Sequence, residues 1–129
     1  MRRLLVVAVS ALGLGLVALY AQDIRDSTVA DPDVHQVVLE NEHVRVLEAM
    51  AAPGYKSPMH SHPPLLVVSL GTARARLTGA DGKSQILTLR PGGVFWVEGG
   101  TEHSWELLSG SLNVIGVEVK AAKPAAAQP

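Results

Sequence analysis

Downstream of residue 34 the chain is written in short apolar runs, many of period two, separated by closely spaced turn residues. Residues 37–39 and 44–47 are rich in β-branched side chains and flank Asn41-Glu42, which predicts two strands joined by a turn. LLVVSL at 65–70 is a continuous apolar run ending at Gly71, the pattern of a strand buried on both faces. In TARARLT at 72–78, Ala73, Ala75 and Leu77 alternate with Arg74, Arg76 and Thr78, which predicts a half-solvated strand. Asp81-Gly82 is a hairpin signal, and QILTLR at 85–90 is the returning partner. VFWVE at 94–98, HSWELL at 103–108 and LNVIGVEV at 112–119 are further strands, separated by glycine-rich turns. No apolar stripe of period 3.6 exists beyond Ala21. About seven or eight short strands in one domain predict an all-β sandwich or barrel.

The two ends follow different patterns. Met1 to Arg3 is a basic head, and the apolar run 4–20 is interrupted only by Ser10 and two glycines before Ala21. This is the layout of a secretory signal peptide over 1–21, with an uncleaved membrane anchor as the alternative because Leu19 stands where a small residue is preferred. The expected organisation is a signal at 1–21, a polar linker at 22–34, the barrel at 35–120 and a disordered low-complexity tail at 121–129. A signal peptide implies a periplasmic or secreted protein. With no cysteine there is no disulfide framework, thiol chemistry or lipoprotein attachment. The formal net charge of −1, without a basic patch, excludes a nucleic-acid partner. Membrane contact is expected only through an uncleaved N-terminal segment.

Candidate chemistry rests on histidine, of which the chain has five. GYKSPMHSHP at 54–63 places His60 and His62 two positions apart, so an extended backbone aims both imidazoles at one spot, which a helix would not. Two convergent imidazoles begin a metal site, and His103, after GGTE, is the candidate third ligand.

Two motifs carry a specific resemblance. Gly54, five residues, His60, one residue and His62 is similar to the first motif of the cupin superfamily. Gly92, five residues, Glu98, one residue, Gly100, two residues and His103 is similar to the second, with Glu98 at the usual proline. The chain most resembles the small, exported, single-domain cupins of the conserved-barrel type, including the ENEHVRVL opening at 40–47. The resemblance implies a jelly-roll β-barrel over residues 36–119 that holds a divalent transition metal (Fe, Mn, Zn, Ni or Cu) through His60, His62 and His103. It departs from the family where cupins supply a glutamate: those positions are Leu66 and Val67, or Pro64 when counted back from Gly71. A frequent asparagine is replaced by Leu107.

Three neutral imidazoles would leave a divalent ion its full charge and open positions, which suits anionic ligands and reaction rather than a structural role. Three functions follow: a metal-dependent dioxygenase or isomerase acting on a small oxygen-rich or anionic molecule; a non-catalytic binder of metal or small ligand; or a metal-free barrel that pairs with a second copy through an exposed sheet face. Glu98 and Glu102 are candidates for an acid/base role or a substitute ligand, against the plainer role of capping a turn or facing solvent. Trp105, two residues after His103, is either a pocket wall or a core residue. Met59, Phe95 and Trp96 are expected in the core, and His35 and His43 on the surface. No GxGxxG or GxSxG occurs, so phosphate binding and the usual hydrolase elbow are unsupported.

Overall fold

Alternation of period two produces eight strands in two antiparallel sheets in the computed structural model, which describes residues 26–121. The expected signal peptide, and the expected tail beyond Ala121, lie outside the described residues. One sheet has the order β1-β2-β8-β3-β6, built from His35–Glu40, Val44–Ala51, Leu112–Val119, Leu65–Ser69 and Val94–Val97. The other has the order β5-β4-β7, built from Ser84–Leu89, Ala73–Gly79 and His103–Gly110. Crossovers between sheets make this an all-β arrangement of jelly-roll type. The inward faces meet in a core that includes Leu65, Val67, Ala75, Leu89, Trp105, Leu107 and Val114.

The hairpin predicted from Asp81-Gly82 forms, with Ala73 opposite Leu89 and Thr78 opposite Ser84. Arg74 and Arg76 face solvent while Ala73 and Ala75 are buried, as the alternation requires. Strand β3 differs from its expectation of burial on both faces. Leu65, Val67 and Ser69 are buried, but Leu66 and Val68 are only half covered, because β3 turns one face to the core and the other outward. Trp96 and Met59 are also corrected, at 50% and 39% exposed rather than in the core. Strand β6 is the outer strand of its sheet, and its phase points Val94 and Trp96 out while Phe95 packs on the core. The Trp96 indole donates to Glu98 Oε1 at 3.0 Å on the surface.

The segment 26–34, expected as linker, is folded. Asp26 caps a one-turn helix, α1 (Ser27–Ala30), accepting from the Thr28 amide at 3.0 Å. Ser27 is fully buried, and its amide donates to the Ser61 carbonyl at 3.2 Å. The chain therefore enters β1 already fastened to the loop that carries the histidine pair.

Candidate metal centre

The loop before β3 runs antiparallel along β7. Gly54 N–H donates to the Leu107 carbonyl at 2.9 Å, Ser57 N–H to the Trp105 carbonyl at 2.8 Å, and His60 and His103 exchange both backbone bonds at 2.9 Å. Gly54 starts this ladder with φ of +83°, a conformation that side chains with a Cβ rarely adopt. The ladder brings the two histidine segments side by side, and the extended backbone keeps His60 and His62 on one face, with ring centroids 5.0 Å apart. Gly99 permits the closing contact at the other end, since a Cβ there would stand 2.6 Å from Pro64 Cδ.

Four histidines gather, not three. His60, His62 and His103 come together, with centroids 4.7 Å apart for His60–His103 and 5.5 Å for the stacked His62–His103 pair. His35, expected on the surface, is buried and lies 4.9 Å from His60 and 5.4 Å from His62 by ring centroid. Its place follows from α1, which fixes where β1 begins, and from an inward first residue on a strand otherwise exposed. Ligand atoms of His35, His60 and His62 all lie within 4.8 Å of one another, close enough to hold one metal ion. His103 borders that group through its ring contacts. His43 stands on the surface, its side chain 79% exposed.

The hydrogen bonds fix which nitrogen faces the group. His60 Nδ1 lies 2.8 Å from the Pro58 carbonyl, which only accepts, so Nδ1 carries the proton and Nε2 a lone pair. That Nε2 is buried without a hydrogen-bond partner, and His60 is 0% exposed. An unpaired buried acceptor is costly, and a metal ion would satisfy it. His62 Nδ1 lies 3.0 Å from Glu118 Oε1, which fixes the same tautomer. Glu118 is 1% exposed and is held in turn by Arg45, whose other nitrogen Nη2 reaches Asp26 Oδ2 at 2.7 Å. A carboxylate thus stands near the histidines although the positions after His62 are aliphatic. It approaches His62 from behind, as an orienting group, and comes from β8. Replacing it, Glu118→Gln, leaves an acceptor but removes the charge, and metal affinity is expected to fall about 10- to 100-fold. Competition with a chromophoric chelator measures this, and unchanged affinity would remove Glu118 from the site.

Burial pushes the His35 imidazole down to about 3, helped by the neighbouring His60 and His62. Burial likewise brings His103 to about 4, again with His60 and His62 adding to it. His60 is lowered chiefly by burial, against the opposing bond to Pro58. The three are neutral at pH 7, which is the metal-ligating form. Because these folded-state values lie below the ordinary 6.5, the unfolded chain binds more protons in between. Metal-free protein is therefore expected to hold its stability above about pH 6.5. It should lose stability as the pH falls towards 4, by up to about 1.4 kcal/mol per pH unit for each such histidine. Urea titrations at pH 7, 6 and 5 check this, and identical midpoints would contradict it.

Asp31, four residues before His35, is 3.7 Å from His35 Nδ1 and accepts from the Tyr55 hydroxyl at 2.6 Å. That bond to Asp31 raises Tyr55 to about 12, so the hydroxyl stays protonated. The histidines open onto a cavity of about 610 Å³ inside the barrel. Trp105 serves both expected roles, buried in the core against Tyr55 and lining this cavity. Glu98 lies exposed at the cavity rim; Glu102 is half-buried and is not part of the lining.

No family model matches the sequence, and no curated protein matches it. Solved structures do. A cupin domain from Bordetella pertussis is 28% identical, with a TM-score of 0.63 over 68% of this chain and 93% of that one. A cupin family protein with a double-stranded β-helix fold from Methanocaldococcus jannaschii is 16% identical, with a TM-score of 0.56 over 67% and 78%. A conserved Klebsiella pneumoniae protein with a double-stranded β-helix domain is 21% identical, with a TM-score of 0.55 over 65% and 73%.

Proposed function

Taking the chain as a member of the cupin superfamily, we propose that it is a small exported metal-dependent oxidoreductase of dioxygenase type. In this reading a divalent transition metal is held by His35, His60 and His62, with His103 at its edge. The observation that carries it is the buried Nε2 lone pair of His60, which has no hydrogen-bond partner and lies beside two further imidazoles. A divalent ion held by neutral imidazoles keeps its full charge and acts as a Lewis acid on an oxygen-bearing or anionic ligand. The chain's own residues supply the rest. Pro58 and Glu118 fix the tautomers of His60 and His62, Arg45 holds Glu118 and is itself held by Asp26, and the barrel wall offers the ligand an apolar surround. The basic head at 1–3 and the apolar run at 4–20, the layout of a signal peptide, are what support export in this reading.

One observation favours a second reading, a non-catalytic binder of metal or small ligand. Among the described residues that line the buried part of the cavity, the histidines are the only ionisable side chains, and none is a carboxylate ready to move a proton. Oxygen consumption separates the two. Metal-loaded protein offered a panel of small catechols, enols and β-diketones is expected to consume oxygen with at least one of them. Binding without any oxygen uptake would contradict the oxidoreductase and leave the binder.

A further inference from the structure

Every strand from β2 to β8 sends at least one apolar side chain into the cavity, among them Leu47, Val67, Leu87, Phe95, Trp105 and Val114. The polar residues of the lining fall into two groups. Lys83, Ser84, Gln85, Glu98 and Thr101 are all exposed and form a rim on the β4–β5 hairpin and the β6–β7 connection. The other group is the buried histidines. Between rim and histidines, no hydroxyl, amide or carboxyl side chain of the described residues lines the wall. A sugar-like or polyol molecule would bury hydroxyls against hydrocarbon without partners, each at a cost. A hydrocarbon or aromatic body loses nothing there and gains by leaving water.

We infer that the ligand of this cavity is an amphiphile. One anionic or oxygen-bearing head meets the histidine cluster, and an apolar body lies against the barrel wall. The head's position rests on the proposed function, whereas the body's chemistry rests on the wall alone. This narrows the oxygen-rich class expected from the motifs to molecules with one polar end. The volume of about 610 Å³ is that of a pocket for a drug-sized molecule, larger than a short-chain acid needs.

The n-alkanoates butanoate, hexanoate and octanoate, with gluconate as a polar counterpart, test the inference by calorimetry on metal-loaded and metal-free protein. Affinity is expected to rise about fourfold per added methylene, equivalent to about 0.8 kcal/mol. Gluconate is expected to bind at least about 100-fold more weakly than octanoate, since its hydroxyls go unpaired. Ala75 pairs with Leu107, four positions along β4 from Gly79, which faces His103, so Ala75→Leu narrows the cavity away from that histidine and should weaken octanoate more than butanoate while leaving metal uptake unchanged. Should that variant not fold, Leu87→Gln puts an amide on the wall and should flatten the chain-length series. A flat series in both forms, or gluconate binding as tightly as octanoate, overturns the inference. A series that climbs in protein unable to take up metal supports the amphiphile and contradicts the metal reading. Metal uptake with a flat series does the reverse.

Discussion

Replacing His60 with alanine is expected to abolish metal binding, to below about a tenth of an equivalent after reconstitution and desalting. His60 touches every part of the cluster: its ring neighbours those of His35, His62 and His103, and its backbone joins the two histidine segments. Its unprotonated nitrogen is buried without a partner, so the side chain contributes least where no metal is present. The variant is accordingly expected to fold, and the metal-free variant to be no less stable than metal-free wild type by more than about 3 kcal/mol, the scale of a large-to-small core replacement. His43→Ala, on the exposed turn, should bind metal as wild type does. Full occupancy of His60→Ala would remove this residue from the site.

The second large effect concerns stability. Arg45→Ala is expected to cost about 3–5 kcal/mol, because it strands the Glu118 carboxylate inside the protein. Glu118 is 1% exposed, and its charged partner is Arg45, with His62 Nδ1 3.0 Å from its other oxygen. Arg45 also ties Asp26 to the sheet, so the same change should loosen α1 and with it the approach of His35. Urea unfolding gives the cost, and hydrogen exchange at Ser27 and Asp31, whose amides bond to Ser61 and Ser27 carbonyls, reports the loosening. A cost under about 1 kcal/mol would mean that Glu118 finds another partner or water. The double variant Arg45→Met with Glu118→Leu, which removes both charges, should recover most of the loss.

Much of the barrel was legible because burial on one face writes a period of two into the sequence. Arg74 and Arg76 in β4, and the alternation of β8, could be read directly. The pair His60 and His62 was legible for the same reason, since i and i+2 share a face of any extended segment. His35 was not. Strand β1 is an outer strand with Val37, Val38 and Leu39 all exposed, so its apolar run shows no face, and its one buried residue is the histidine. The signal that would have found it lies upstream: Asp26-Ser27-Thr28 is a helix-start pattern inside an apparent linker. Glu118 has a signal that can be read from the sequence. It follows Leu112, Val114 and Gly116 on the inward phase of β8, where a carboxylate must have a partner. Trp96 misled because hydrophobicity alone does not tell the outward phase of an outer strand from the inward one.

Whether the converging histidines hold a metal is decided by metal content. Protein made without a histidine tag, reconstituted with divalent iron, manganese, zinc, nickel or copper and then desalted, should retain close to one equivalent of at least one of them by elemental analysis. Less than about a tenth of an equivalent of every metal would mean that the histidines form no metal site.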